Sequence, residues 1–310
     1  MKSIKILLLL SACGLAACNA PEQDTGAVEL VGHRGITGLM PENTIPGFLA
    51  AIDQGVNGIE LDVVVAGDQS VVITHEPWFR HDICLTPEGE SISREEQVDY
   101  NMYEMTYEEI AEFDCGSVPR PNFPGQEATR PLSKPLMREA IEAMEDYVAD
   151  FGYPTVDYYV EIKSHPDWDN VRQPEPAEVV RLVYEELNEL GVLDRSLLMA
   201  FDVRILQAMK ELDSTVPQVL LISTSKPDLE ANLEELTYTP EVYGVNFNMA
   251  GEDLMNAARA QGMRVATWTV NETQDMQRML DLGVDVLITD YAHRYNELTI
   301  EGQVQEEGGL

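Results

Sequence analysis

Short runs of β-branched and other apolar residues alternate along the chain with longer stretches whose apolar residues recur at helical spacing. The short runs have the length and composition of strands. Nine of them are predicted, at residues 28–33, 58–65, 70–75, 157–163, 196–201, 218–223, 242–247, 264–270 and 285–289. Amphipathic helices lie between most of them, and three of these helices end at a glycine: Gly191, Gly262 and Gly283. The alternation predicts a parallel α/β fold, either a barrel or a doubly wound sheet.

Two of the predicted strands are too close together for a parallel connection. Only four residues separate the run 58–65 from the run 70–75, whereas a parallel crossover needs about a dozen residues or more. The two runs therefore form an antiparallel hairpin, which leaves eight strands for a (β/α)8 TIM barrel. The hairpin also returns His75 to the level of Glu60 and Asp62.

Residues 76–134 break the alternation with prolines, polar residues and two cysteines. A long stretch without regular elements is uncommon in a compact domain unless it has a function. We therefore predict an insertion over one face of the barrel, with a short helix near residues 107–112. The last residues, 301–310, are acidic and rich in glycine, which is typical of a frayed tail.

The N-terminus has the pattern of a secretion signal. Lys2 and Lys5 precede twelve apolar or small residues, too few to span a bilayer, which needs about 20. The stretch ends in Leu-Ala-Ala-Cys at residues 15–18, which looks like a bacterial lipobox and predicts a lipid on Cys18. Lipidation of Cys13, or an ordinary signal peptide, is the alternative.

This leader divides the chain into a signal peptide at residues 1–17, a tether at residues 18–27 and a barrel domain at residues 28–300. We expect the lipid to anchor the protein to a membrane of the bacterial cell envelope, on the periplasmic side. An exported domain folds in an oxidising compartment, so we also expect Cys84 and Cys115 to form a disulfide. Two free buried thiols are the alternative.

Composition and charge narrow the class of partner. The chain has 310 residues, 44% of them hydrophobic, which is enough for a large core and excludes a disordered protein. Fifty-five acidic residues against 20 basic ones give a net charge of −35. A surface this acidic repels a phosphate backbone, so nucleic acid is not expected as a partner. A small phosphorylated substrate remains compatible with the charge.

Polar side chains lie at the carboxyl ends of four of the predicted strands, where barrel enzymes place their sites. They are His33 and Arg34, Glu60 and Asp62, His75, and Glu161 and Lys163. Alternate strand residues share one face, so the two carboxylates of the second strand point into the same space, where a hard divalent cation is their natural partner. The set suits a phosphodiester, because a metal and two cations neutralise phosphoryl oxygens while histidines move protons.

A His-ligated zinc hydrolase would use some of the same residue types. The chain lacks the H-x-H and H-E-x-x-H spacings of such sites, which favours the phosphodiester interpretation. Of the remaining histidines, His165 follows Lys163 closely and is the one that we expect to line the site.

Seven short motifs occur in an order that resembles one enzyme family. They are His33-Arg34-Gly35, Pro41-Glu42-Asn43-Thr44, Glu60-Leu61-Asp62-Val63, Val71-Val72-Ile73-Thr74-His75, Glu161-Ile162-Lys163, Trp268-Thr269-Val270-Asn271 and Ile288-Thr289-Asp290. In this order they resemble the glycerophosphodiester phosphodiesterase family, a phospholipase-C-like group of (β/α)8 barrels, over about residues 30–291. The chain departs from the family's pattern at Glu76, where an aspartate usually follows the second histidine.

The resemblance implies a role for each residue of the predicted site and a function for the insertion, which would cover the mouth and select the head group. The implied roles are general acid and base for His33 and His75, ligands of one Ca²⁺ or Mg²⁺ for Glu60, Asp62 and Glu161, phosphate binding for Arg34 and Lys163, and a wall of the glycerol pocket for Trp268. A core residue at a strand end is the alternative for the tryptophan.

The implied reaction is metal-dependent hydrolysis of a glycerophosphodiester to glycerol 3-phosphate and an alcohol, with the glycerol 2-hydroxyl or water as nucleophile. A lysophospholipase D-like or glycerophosphoinositol-cleaving enzyme would use the same site with a different leaving group. A non-enzymatic lipoprotein on a degenerate barrel is a third interpretation. It is disfavoured because none of the expected catalytic residues is missing.

Overall fold

The strands of the computed structural model, which describes residues 28–127 and 131–298, close into a barrel. The predicted signal peptide with Cys18, the tether and the acidic tail at residues 301–310 lie outside these ranges. Within them the strands are β1 Glu29–Gly32, β2 Gly58–Val65, β3 Val71–Ile73, β4 Asp157–Ile162, β5 Ser196–Ala200, β6 Gln218–Ile222, β7 Val242–Asn246, β8 Arg264–Trp268 and β9 Val286–Thr289. The helices are α1 Ile45–Asp53, α2 Tyr107–Ile110, α3 Met137–Phe151, α4 Pro176–Glu189, α5 Val203–Leu212, α6 Leu229–Leu236, α7 Glu252–Ala260 and α8 Thr273–Leu282.

Eight of these strands are parallel, and β1 closes the ring by pairing with β9 on one side and with β2 on the other. A helix follows each of the eight parallel strands, and after β9 residues 292–298 are helical, which confirms the predicted (β/α)8 barrel. No helix in that part has both the length and the apolar character needed to cross a membrane.

Two apolar layers hold the barrel together, one on each side of the strands. Inward-facing side chains such as Tyr159, Met199 and Leu221 fill the interior. The alternate residues, such as Ile59 and Leu61, pack outward against the helices. Strands buried on both faces read as nearly continuous apolar runs, so the polar residues within them are exceptions that need a reason.

The β2–β3 hairpin is antiparallel, as the short connection predicts. Val63 pairs with Ile73, and the Thr74 amide donates to the Asp62 carbonyl over 2.9 Å. The hairpin therefore carries His75 to the level of the carboxylates of β2, at the carboxyl end of the barrel strands.

The insertion after β3 has a small core of its own. The Phe79 ring stacks on the Phe113 ring at a centroid distance of 3.7 Å, and the structure joins Cys84 to Cys115 in a disulfide. Thr106 opens α2 with a reciprocal capping box. The segment is thus a packed unit rather than an extended loop.

Candidate active site

A pocket of about 170 Å³ opens at the carboxyl ends of the barrel strands. Its lining comprises His33, Arg34, Glu60, His75, Glu161, Lys163, Met199, Phe201, Leu221, Trp268, Thr269 and Ile288. Seven of the eight residues that sequence reasoning assigned to catalysis, metal or substrate therefore meet at one pocket. The eighth, Asp62, lies fully buried beside Glu60 and Glu161. His165 was expected here and is not in the lining: its side chain is 56% exposed and caps a short helix at residues 166–168.

Three buried carboxylates form the centre of the site. One oxygen each from Glu60, Asp62 and Glu161 lies within 4.8 Å of the others. Their strands explain the proximity, because β2 and β4 are neighbours whose register places Asp62 opposite Glu161. Burial and the nearby charge of Asp62 raise the pKa of Glu60 to about 8. Gathering three carboxylates away from water is costly unless a cation joins them.

The donor set fits a hard divalent cation. All three groups offer oxygen ligands, the type that Ca²⁺ and Mg²⁺ prefer. Asp62 Oδ1 is buried without a hydrogen-bond partner, while Asp62 Oδ2 accepts a hydrogen bond of 2.8 Å from Asn43 Nδ2. Asn43 therefore fixes the carboxylate and leaves one oxygen available as a ligand.

Two cations flank the carboxylates. The Arg34 amide donates to Glu60 Oε2 over 2.7 Å, and its guanidinium Nε lies 3.1 Å from Asp62 Oδ2. Lys163 Nζ donates to Glu161 Oε1 over 2.5 Å and lies 3.5 Å from Asp62 Oδ1. Burial alone would lower the pKa of Lys163, but the charges of Glu161 and Asp62 outweigh burial and raise it. Both side chains are therefore cationic and line the pocket.

His33 is held by a carboxylate from the opposite end of the chain. Its Nδ1 shares a hydrogen bond of 2.7 Å with Asp290 Oδ1, and Asn271 Nδ2 donates to Asp290 Oδ2 over 2.7 Å. Burial disfavours the imidazolium, but the charge and hydrogen bond of Asp290 outweigh burial and raise the pKa of His33. The ring is fixed at Nδ1, which leaves Nε2 for proton exchange.

His75 has a corresponding partner in Glu76. His75 Nδ1 lies 2.7 Å from Glu76 Oε1, and His75 Nε2 lies 3.0 Å from Lys163 Nζ. The sequence departs from the related family at Glu76, and here the longer side chain still reaches the ring.

The opposite half of the pocket is apolar. Met199, Leu221 and Ile288 belong to the barrel interior and form its floor. Trp268 meets Phe201 edge to face at a centroid distance of 5.4 Å. Trp268 thus lines the pocket and also packs on the interior core. Its contact with glycerol stays a prediction.

Sequence reasoning missed the partners that orient the site. Asp290, Asn271 and Glu42 all lie in motifs that carry the family resemblance, but the sequence alone assigns them no role. Glu42 accepts a hydrogen bond of 3.0 Å from Arg34 Nη1. Strand ends at one rim of a barrel could have suggested Asp290, because it directly follows β9 and β9 neighbours β1.

Comparison with known proteins identifies the family. The model of the glycerophosphoryl diester phosphodiesterase family matches residues 33–294. The chain belongs to this family. Among curated relatives, a glycerophosphodiester phosphodiesterase from Caldanaerobacter subterraneus is 28% identical, and the match covers 84% of this chain and 93% of the relative.

Solved structures agree with this assignment. A Silicibacter pomeroyi crystal structure that carries the same family name is 27% identical, with a TM-score of 0.78 over 88% of this chain and 93% of that one. A phosphodiesterase from Oleispira antarctica, solved with its product sn-glycerol-3-phosphate, shares the fold at 21% identity and a TM-score of 0.69, over 87% of this chain and 96% of that one. The chain is thus a phosphodiesterase that hydrolyses glycerophosphodiesters.

Proposed function

We propose that the pocket hydrolyses a glycerophosphodiester to glycerol 3-phosphate and an alcohol with His33 and His75 as the proton-transferring pair. The observation that carries this proposal is the placement of two carboxylate-held histidines beside three buried carboxylates in one pocket. The Oleispira antarctica structure supports the product, because it holds sn-glycerol-3-phosphate on the same fold.

Glu60, Asp62 and Glu161 are the proposed ligands of one divalent cation, Ca²⁺ or Mg²⁺. Bound there, the cation would supply Lewis acidity that neutralises charge on the phosphoryl oxygens. Asn43 holds Asp62 by its second oxygen, which orients that ligand before any cation binds.

Arg34 and Lys163 are the proposed phosphate-binding residues. Both cations stand at the pocket wall beside the carboxylates, so a phosphodiester that approaches the centre meets positive charge on two sides. Guanidinium and ammonium groups stabilise the charge that develops on phosphoryl oxygens during displacement.

Each histidine exchanges its proton through Nε2, because Nδ1 is hydrogen-bonded to a carboxylate. The carboxylate is Asp290 for His33 and Glu76 for His75. One ring takes the proton of the attacking oxygen as that oxygen bonds to phosphorus. The other ring gives a proton to the oxygen of the departing alcohol. If the attacking oxygen belongs to water, glycerol 3-phosphate forms directly. If it is the glycerol 2-hydroxyl, a cyclic phosphate forms, and a water molecule opens it in a second step in which the two rings exchange roles. A carboxylate behind each ring stabilises the imidazolium form through which both transfers pass.

Substitution of the histidines tests this assignment. His33→Ala and His75→Ala should each reduce kcat on glycerophosphocholine by about 10² to 10⁴-fold, the range of general acid–base catalysis, and leave circular dichroism unchanged. Release of glycerol 3-phosphate is the measurement. Exposed His165→Ala is the matched control and should keep the wild-type rate. Wild-type turnover by His75→Ala would refute the proposal.

The identity of the cation is tested by removal and replacement. Protein stripped with EDTA should lose activity, and titration with Ca²⁺ and with Mg²⁺ separately should show which ion restores it. Glu60→Gln should remove the response to both ions. Full activity in the presence of EDTA would argue against a metal-dependent mechanism.

The leaving group has a second candidate. A mouse lysophospholipase D is 23% identical to this chain, and the match covers 84% of this chain and 82% of the relative. The apolar half of the pocket also offers a surface that an acyl chain could contact. Parallel assays on glycerophosphocholine, glycerophosphoinositol and lysophosphatidylcholine separate the candidates by kcat/KM.

The leader supports a place for the protein in the bacterial cell envelope, lipid-anchored through Cys18 on the periplasmic side. Cys18→Ser should release the protein from the membrane fraction, while Cys13→Ser should leave it there. Mass spectrometry of the mature N-terminus would identify the modified cysteine. Loss of membrane association in the Cys13 variant alone would move the anchor to that residue.

A further inference from the structure

The loop between β1 and α1, residues 33–44, carries both His33 and Arg34. It contains no helix or strand, and two of its residues, Arg34 and Asn43, have positive φ angles of 52° and 55°. Non-glycine residues seldom adopt this conformation unless the surroundings hold them there. Contacts from elsewhere must therefore fix the loop.

A segment of the insertion supplies such contacts. We call residues 120–127 the bracing segment. Gln126 Nε2 donates to the carbonyls of Thr37 and Met40, each over 2.8 Å, and the Glu127 amide donates to the Leu39 carbonyl over 2.8 Å. Three hydrogen bonds thus join the bracing segment to the backbone of the catalytic loop.

An ion-pair chain leads from the same segment to the catalytic centre. Arg120 Nη1 donates to Glu42 Oε2, and the other oxygen of that carboxylate accepts from Arg34 Nη1 over 3.0 Å. The three side chains are 11%, 4% and 15% exposed, so water screens the contacts only weakly. Arg34 in turn lies 3.1 Å from Asp62.

The insertion also keeps Glu42 charged. Burial favours its neutral form, but Arg34, Arg120, Lys134 and Arg80 outweigh burial and hold the pKa of this carboxyl far below its usual range. Three of these four cations belong to the insertion. Together with Arg34, these cations favour the ionised form of Glu42.

We propose that Arg120 is a positioning residue for catalysis, which holds Glu42 so that Glu42 fixes the guanidinium of Arg34 at the phosphate site. The insertion then helps to complete the site. This inference rests on the phosphate-binding role proposed for Arg34.

A double-mutant cycle tests the chain of contacts. Arg120→Met should lower kcat/KM on glycerophosphocholine by about tenfold or more, because small displacements of a positioning group are costly. The loss should appear mainly in KM and in weaker calorimetric binding of glycerol 3-phosphate. In the Arg34→Met background, the same substitution should change kcat/KM by less than about twofold, because the residue through which it acts is gone.

Two further variants control for charge and folding. Arg138→Met removes the same charge from an exposed ion pair with Glu189 on the outer helices and should leave kcat/KM unchanged. Arg120→Lys keeps the charge, is expected to fold, and should give a kcat/KM between those of the wild type and Arg120→Met. If Arg120→Met does not fold, Arg120→Lys tests the inference instead. It should bind glycerol 3-phosphate more weakly than the wild type, and wild-type affinity would contradict the inference.

The outcomes separate this inference from the proposed function. If Arg120→Met lowers only the melting temperature, or if its effect persists undiminished in the Arg34→Met background, Arg120 does not act through Arg34 and the inference fails. If Arg34→Met itself retains wild-type kcat/KM and product affinity, the phosphate-binding role is wrong, and the inference falls with it.

Discussion

His33 Nδ1 and Asp290 Oδ1 lie 2.7 Å apart although 257 positions separate them in the chain. Asp290→Asn keeps the size of the side chain and removes its charge. Because Asp290 raises the pKa of His33, the substitution should move the limb of the pH–rate profile that reports His33 to lower pH. It should also lower kcat by about 10²-fold, since the imidazolium loses its counter-charge.

A matched control separates this effect from a general loss of charge. Asp281→Asn makes the same change on the exposed face of α8 and should leave the profile unaltered. If Asp290→Asn keeps both the wild-type rate and the wild-type pH limbs, the carboxylate does not tune His33.

Glu76 should orient the ring of His75, because its carboxylate lies against Nδ1. In the wild type, His75 Nδ1 lies 2.7 Å from the Glu76 carboxylate. Glu76→Gln retains a side chain that can reach Nδ1, but its neutral amide cannot stabilise a positively charged ring. We expect kcat to fall by about tenfold or more, with KM changed less. Glu88→Gln, an exposed position of the same insertion, is the control. Equal values of kcat in the two variants would show that Glu76 does not contribute to catalysis.

The carboxylate cluster should make stability depend on pH in a metal-sensitive way. Folded, metal-free protein keeps the Glu60 proton up to about pH 8, whereas the unfolded chain releases it near 4.5. Between these values the folded state binds more protons, so its stability falls as pH rises. A divalent cation replaces the proton and should therefore raise the melting temperature more at pH 8 than at pH 5.

Calorimetric melting with EDTA, Ca²⁺ or Mg²⁺ at both pH values measures this difference. Glu60→Gln should abolish it, because the variant has no proton to displace. A metal-induced increment that is equal at the two pH values, or that survives in Glu60→Gln, would contradict the assignment of the cluster as the cation site.

The barrel could be predicted because its rules are local. The order of elements follows from the periodicity of strands and helices, from the glycines that end helices, and from one connection too short for a crossover. Alternate residues of a strand share one face, which places Glu60 and Asp62 together. The contacts of the orienting partners could not be predicted from the local pattern alone. Asp290 meets His33 only when the barrel closes, since β9 and β1 become neighbours at that step.

The insertion was beyond sequence reasoning for a different reason. It has no periodicity, so nothing local shows that Arg120 meets Glu42, 78 positions earlier in the chain, or that Gln126 caps the carbonyls of Thr37 and Met40. Such contacts depend on how the segment folds back over the barrel. The chemistry of a site is therefore easier to find in a sequence than the residues that hold it in place.

The net charge of −35 leads to a prediction about salt. An anionic diester must cross a repulsive field before it reaches Arg34 and Lys163, which line the pocket. Monovalent salt screens that field, with a Debye length of about 8 Å at physiological ionic strength. We expect kcat/KM for glycerophosphoglycerol, which carries one net negative charge, to rise severalfold as KCl increases from low to physiological concentration. Glycerophosphocholine is zwitterionic and provides the control, so its kcat/KM should change much less. A flat or falling profile for the anionic diester would mean that the local cations, rather than the acidic surface, govern the encounter.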